Sequence, residues 1–300
     1  MPQNEEQSMQ ILTDTLNFRY DTSKYTTDNY RLHCHNFYEV YFFLEGDVDY
    51  QAEGKKYKPA PNSLLLLPPH MFHGVKINTD SPYRRFSMHF HPSLLSPDRR
   101  AFLLSAFPPF EKNPTQNIYY EPAEHFGFPI YFEALRACAS KSERMKEQQL
   151  PICAEALLSQ IVSLRETDSL AVQNPSTGTI SQIIWYLNQH LSEEISLDQI
   201  AERFFISKHH LNKIFRKATG TTVFDYLLRK RVIAAQQLLI NGSSAQSAAA
   251  ASGFKDYSAF YRSYTRILGH SPMKDKGVLP PPSLSVPRGM EEFSLTPDSH

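Results

Sequence analysis

SLDQIAERFFISKHHLNKIFRKATG, residues 196–220, decides how the C-terminal part of this chain folds. Ser196 and Gln199 have the spacing of a capping box, in which a hydroxyl and an amide each satisfy a backbone donor left open at a helix start. Ile195, just ahead of the cap, is placed to staple onto Ile200. The helix predicted there buries Leu197, Ile200, Ala201 and Phe204. A short turn at Phe205-Ile206 leads to Ser207, a second N-cap. The helix it starts buries Leu211, Ile214 and Phe215 and ends before Gly220. Two short capped helices across a tight turn make a helix-turn-helix. The unburied face of the second helix carries Lys208, His209, Asn212, Lys213 and Arg216, donors long enough to reach phosphates and base edges.

The same pattern recurs downstream. A helix is expected from Thr222 to Ile240, with Phe224, Leu227, Leu228, Ala235 and Leu238 on one side and the basic cluster Arg229-Lys230-Arg231 along it. It stops at Asn241-Gly242, residues suited to a left-handed cap. Ser244 to Ser252 then reads as a helix, Gly253-Phe254 as a turn, and Asp256 to Leu268 as a helix ending at Gly269. The exposed face of that last helix offers Tyr257, Ser258 and Arg262. The helix between the two motifs is about 28 Å long at 1.5 Å per residue. That is close to the ~34 Å between successive major-groove openings on one face of DNA.

These runs, with YLLRKRVIAAQQLL and SGFKDYSAFYRSYTRILGHSP, resemble the DNA-binding domain of AraC/XylS-type transcription regulators. The resemblance implies a tandem helix-turn-helix domain on double-stranded DNA, with both recognition helices in the major groove. It carries base reading to His209, Asn212 and Lys213 in the first motif and to Ser258, Ala259 and Arg262 in the second. One departure stands out: Ala245 and Ala248 replace the larger apolar residues usual in the family. Missing methylenes cost on the order of 1–3 kcal/mol. A looser second motif is therefore expected, with the first supplying more of the discrimination.

Composition agrees with a nucleic-acid contact confined to this region. Lys+Arg and Asp+Glu are 31 each, so the formal net charge is zero. Residues 179–276 hold 13 basic against 7 acidic residues, a balance of +6, whereas residues 1–178 stand at −4. Charged residues at 21% and aromatics at 12% exclude a disordered or fibrous chain. Apolar runs such as Leu64 to Leu67 are too short to span a bilayer. The polar start MPQNEEQSMQ is not a secretory signal, and Cys34, Cys138 and Cys153 are too scattered for a disulfide framework. A soluble, cytoplasmic protein without membrane association is expected.

The N-terminal part reads as strands at Tyr38 to Leu44, Val48 to Ala52, Lys55 to Lys58, Leu64 to Leu67 and Arg85 to His91, separated by Gly/Pro turns. That spacing points to a small β-barrel or sandwich. From Pro129 a helical period takes over, predicting helices over Pro129 to Ser140 and Leu150 to Arg165. Within His33-Cys34-His35-Asn36-Phe37-Tyr38-Glu39, positions 33, 35 and 39 would share one face of a strand, with Tyr41 and Phe43 following by parity. The arrangement H-x-H-x3-E-x6-G, with His73 later, resembles the cupin motif and the sensor domain that often precedes an AraC-type DNA-binding part. Its second stretch is degenerate, with Asn62 and His70 where glycines are usual.

Three readings stay open for His33, His35, Glu39, Tyr41 and His73. They line a pocket for a small polar molecule such as a sugar, with Tyr41 and Phe43 stacking on it. Alternatively His33, His35, Glu39 and His73 hold a divalent transition metal. In the third reading they are hydrogen-bonded structural residues. No other cofactor and no catalytic residue is expected.

The fold class expected is α+β in two domains, a cupin-like β-barrel followed by an all-α tandem helix-turn-helix domain. Its parts are a sensing and dimerising domain over 1–166, a linker over 167–178, the DNA-binding domain over 179–276 and an unfolded tail over 277–300. The function expected is sequence-specific transcription regulation, with activation favoured, in response to a small-molecule effector. A homodimer is expected, with the two N-terminal-domain helices either pairing across it or packing on their own barrel, and RNA polymerase as a further partner. The alternatives are a metal-dependent cupin enzyme tethered to DNA and a ligand-independent DNA-binding dimer whose barrel serves only dimerisation.

Overall fold

The computed structural model describes residues 8–27, 32–107, 117–122, 124–168 and 178–277. Most of the expected linker and all but the first residue of the expected tail therefore lie outside the described residues. The chain divides into two compact units, 1–178 and 179–300.

Among the described residues the first unit holds nine strands: β1 (Met9–Leu12), β2 (Leu16–Ser23), β3 (Tyr38–Glu45), β4 (Val48–Ala52), β5 (Lys55–Tyr57), β6 (Leu64–Leu67), β7 (His73–Ile77), β8 (Tyr83–Phe90) and β9 (Tyr119–Tyr120). They form a six-stranded sheet in the order β1-β2-β8-β3-β6-β9 and a three-stranded sheet in the order β5-β4-β7. The sheets do not close into a single hydrogen-bonded cylinder, so the cupin-like unit is an open version of the expected barrel. The chain crosses from one sheet to the other between β3 and β4, where Gly46 adopts φ +125°. A Cβ there would lie 2.9 Å from Tyr83 Cα, so both the conformation and the close approach demand glycine.

Alternation along β3 separates two cores. Val40 and Phe42 face outward into a cluster with Leu64, Leu66, Phe86, Met88 and Phe90. Tyr41 and Phe43 face inward with Tyr50, Leu65, Leu67, Met71 and Tyr83. The outward core is roofed by helices. After α1 (Arg100–Leu104) come α2 (Phe128–Ala137) and α3 (Glu143–Asp168), which starts seven residues before the expected Leu150. Phe132 of α2 stacks on Phe42 at 4.6 Å and on Phe86 at 5.3 Å. Leu150, Ala154, Leu157, Leu158, Ile161, Val162 and Leu164 of α3 are buried in the same cluster. The apolar faces that suggested a dimer seam are thus packed on the unit's own sheet.

The second unit is all-helical: α4 (Thr179–Gln189), α5 (Leu197–Arg203), α6 (Lys208–Thr219), α7 (Val223–Ile240), α8 (Ala245–Ala251) and α9 (Tyr257–Leu268). Each start from α5 onward has a side-chain cap. Ser196 Oγ accepts the Gln199 N–H at 3.2 Å while Gln199 Oε1 accepts the Ser196 N–H at 2.8 Å. Ser207, Thr222, Ser244 and Asp256 cap the next four helices. Within α7 the buried face differs from the expected one. Val223, Tyr226, Leu227, Val232, Ile233, Ala235 and Leu239 are buried, whereas Phe224 is 53% exposed. The helix turns Tyr226 inward, where its ring meets Phe215 edge-on at 5.5 Å and its hydroxyl donates to Asn188 Oδ1 at 3.2 Å. Ala245, Ala248 and Ala249 are buried against Val232, Ala235, Leu239, Phe260 and Tyr264. The small side chains of α8 therefore sit beneath two large aromatic rings of α9.

Candidate functional site

In the first unit, four histidines and one glutamate meet between the sheets. Glu39 starts this convergence from β3, buried to 4% exposure. His33 and His35 are not on its strand, because β3 begins only at Tyr38, so the parity argument for them does not apply. A two-bond bridge places them instead. His33 N–H donates to the His73 carbonyl at 2.9 Å, and His73 N–H donates back at 3.0 Å. The His70 N–H binds the His35 carbonyl at 2.6 Å. His73 thus comes from β7 in the second sheet. The fourth histidine, His89, was absent from the sequence-derived set. The pairing of β3 with β8 sets it directly opposite Glu39. The expected strand over Arg85 to His91 contained it, but nothing in the sequence names the neighbour of that strand.

Glu39 Oε2 lies 3.2 Å from His35 Nε2, 3.0 Å from His73 Nε2 and 3.3 Å from His89 Nε2. Burial pushes the Glu39 carboxyl up, yet His89 and His73 together with the His35 bond outweigh it and hold it well below the usual carboxylate range. Tyr41 lies deeper on the same face. Its hydroxyl pairs with the Tyr83 hydroxyl at 2.8 Å and its ring meets Tyr50 at 4.9 Å. Tyr41 and Phe43 are 3% and 1% exposed, so both rings are covered by protein and neither offers a free stacking face. Donor atoms of His33, His35 and His73 lie within 4.8 Å of one another, as do those of His35, Glu39 and His89. Imidazole nitrogens with one carboxylate oxygen suit a divalent transition metal. His73 Nε2, the buried ring nitrogen that faces Glu39, lacks a hydrogen-bond partner of good geometry, which is consistent with that fit.

Burial lowers the His35 pKa from 6.5 to about 4, partly offset by its bond to Glu39. Below its unfolded value the unfolded chain takes up a proton that the folded ring refuses, so stability falls as pH drops through that window. A shift of this size corresponds to on the order of 3 kcal/mol. With a chelator present, the melting temperature of the first unit is therefore expected to fall between about pH 6.5 and 4. A flat melting temperature across that window would show that His35 is not buried as a neutral ring.

In the second unit, the outer face of α6 presents Lys208, His209, Lys213 and Arg216, all exposed, with Asn212 half-buried. His209, Asn212, Lys213 and Arg216 line one open groove with Leu197, Thr222 and Phe224. Phe224, expected in the core, therefore borders this face. Lys208 is held at 2.7 Å by Asp198. On α9, Ser258 and Arg262 are exposed and Ala259 is half-buried, its N–H donated to Asp256. The expected basic cluster on α7 is occupied internally. Arg231 donates to the Leu191 and Glu193 carbonyls, Arg229 pairs with Asp225, and Lys230 is buried over the Tyr226 ring.

Comparison with known proteins follows this division. Residues 200–276 match the family model described as a helix-turn-helix domain, and residues 16–123 match the one described as an AraC-like ligand binding domain. The chain belongs to the AraC/XylS family of transcription regulators. The HTH-type transcriptional activator RhaS of Escherichia fergusonii is 27% identical over 252 residues, covering 80% of this chain and 85% of the relative. RhaS of Escherichia coli O6:H1 is 25% identical over 247 residues with the same coverage. Among solved structures, an AraC-type regulator from Chromobacterium violaceum covers 33% of this chain and 89% of its own at 24% identity and a TM-score of 0.32. Fatty-acid-bound ToxT from Vibrio cholerae covers 90% and 99% at 13% identity and a TM-score of 0.37. At such scores neither structural likeness carries an argument. The relatives are transcriptional regulators and not enzymes, so this AraC/XylS member is a DNA-binding regulator with a ligand-binding domain. Among the described residues, no helix is long and apolar enough to cross a membrane.

Proposed function

We propose that this chain is a transcription activator in which a small polar effector, such as a sugar, enters between the sheets of the first unit and changes how the second unit engages DNA. The observation that carries the DNA half is the shared groove of His209, Asn212, Lys213 and Arg216 on a capped recognition helix. Activation is supported by the RhaS relatives, which are named transcriptional activators. The effector half is supported by hydrogen-bonding groups between the sheets, buried Glu39, His73 and Ser87 with half-buried His35 and His89, in the unit that matches the ligand-binding family. A ligand shifts such a switch only by its differential affinity for the two states. DNA as the partner goes with a cytoplasmic location, and homodimerisation and contact with RNA polymerase accompany the reading. A monomeric mass at micromolar concentration would remove the dimer.

The test is a site selection with random duplex DNA followed by alanine variants. Lys213→Ala and Arg262→Ala are each expected to weaken binding to the selected site by about 5- to 100-fold, the range for losing one good base or phosphate contact. Wild-type affinity in both variants would remove α6 and α9 as the reading elements. Effector action is read as a change in that affinity on adding candidate sugars.

A further inference from the structure

Phe224 is the second residue of α7, yet its ring stands 53% exposed. Its neighbours explain why. Val223 and Tyr226 take the inward face of the helix. The Asp225 carboxylate accepts from the Thr221 hydroxyl at 2.7 Å and from Arg229 Nε at 3.0 Å, which draws it to those partners. Phe224 is left lining the open groove in front of α6, together with Leu197 from the start of α5. The polar side of that groove is His209, Asn212, Lys213 and Arg216. Among the described residues, the acid and base groups that line it include the cations Lys213 and Arg216 and no carboxylate. Cations alone would suit a phosphate backbone. A hydrocarbon wall opposite them adds nothing to phosphate binding, and in water it leaves apolar surface uncovered. The major groove of DNA offers one apolar group, the C5 methyl of thymine, beside the donors and acceptors of the base edges. Asn212 suits an adenine edge, and the partner of adenine is thymine. An amide and cations on one side with an aromatic ring on the other therefore match the edge of an A·T pair, methyl included.

We propose that Phe224 is a specificity-determining residue of the DNA-binding unit, its ring packing on a thymine methyl within the site read by α6. This goes beyond the base readers on α6 and α9, since Phe224 lies on α7, outside both helix-turn-helix motifs. It rests on the reading of the α6 face as a DNA-binding surface. The contact selects thymine over cytosine, which lacks the methyl and presents a donor where thymine presents an acceptor. It also gives the exposed ring its cover, because the apolar surface left in water by the free protein is buried in the complex. A reader added beside α6 strengthens the first motif.

The test uses the full-length chain as wild type, Phe224→Ala and Phe224→Leu, on the duplex selected by the wild type. Each thymine of that duplex is replaced in turn by deoxyuridine, which removes the methyl and leaves every hydrogen-bonding group in place. At one position the replacement should weaken wild-type binding by about 3- to 5-fold, the worth of one buried methyl. At that position Phe224→Ala should bind both duplexes equally, and Phe224→Leu, which keeps a hydrocarbon wall, should retain part of the difference. Melting temperatures of both variants are expected within about 4 °C of wild type, because more than half of the ring is already exposed. A deoxyuridine penalty that is the same in wild type and Phe224→Ala at every thymine overturns the proposal, as does the lack of a penalty at any thymine. So does an equal loss by Phe224→Ala on selected and random duplexes with its methyl dependence intact, which would place the ring on the sugar-phosphate backbone. A selected duplex without a coupled thymine sinks this inference and leaves the regulator reading standing. A wild-type chain that selects no sequence at all takes both down.

Discussion

Raising salt from 50 to 200 mM is expected to lower the affinity of this protein for its DNA site by about a thousand-fold. Exposed cations on the two outer helices are the cause: Lys208, Lys213, Arg216 and Lys217 on α6, and Arg262 and Arg266 on α9. Each phosphate they neutralise releases condensed counterions. Log affinity then falls with log salt at a slope of about −0.9 per contact, and six contacts give on the order of 10³ over this range. The zero net charge of the whole chain does not prevent this, because the charge that matters is local and residues 179–276 carry a balance of +6. Lys208 contributes least, being paired with Asp198. Fluorescence anisotropy on the selected duplex at four salt concentrations measures the slope. A flat plot would mean that these helices do not face phosphates.

Gly253→Ala is expected to destabilise the second unit by about 3–5 kcal/mol, adding left-handed strain to a backbone overlap. Gly253 holds φ +85°, in the turn between α8 and α9. A Cβ on it would lie 2.7 Å from the Leu191 carbonyl oxygen and 2.8 Å from Ser192 Cα. Neither atom can swing aside as a side chain would. The 191–193 loop is also pinned from below, because Arg231 donates to the Leu191 and Glu193 carbonyls at 2.7 and 2.6 Å. The overlap is therefore relieved only by lifting the second helix-turn-helix off the first. In a unit of this size such a loss lowers the melting temperature by more than about 10 °C. A change within about 2 °C would show that the two motifs are not in the close contact described.

This glycine illustrates what was legible beforehand and what was not. Gly253-Phe254 was readable as a turn from its neighbours alone. That the turn abuts the loop of the other motif, some sixty residues earlier, was not. The same divide runs through the candidate site. The caps at Ser196 and Ser207 could be read directly, since each is an interaction between residues three apart. The α6 face followed from helical period. Phe224 and the Arg229-Lys230-Arg231 cluster were misplaced for the opposite reason. Their roles depend on which side of α7 meets α4 and the 191–193 loop, a non-local choice.

The sequence by itself determined the tandem capped helices, the strands around β3 and the His-x-His-x3-Glu stretch, because capping, turns and residue periodicity are short-range physics, while the family showed in the resemblance of those ordered motifs. Only the tertiary structure decided that β8 lies beside β3 and brings His89 to Glu39. It also decided that a bridge to β7 aligns His33 and His35 with His73, and that α2 and α3 cover their own sheet. Strand neighbours and helix-to-sheet packing are settled by which surfaces the whole chain can bury together. No local pattern in a strand records which other strand it will meet.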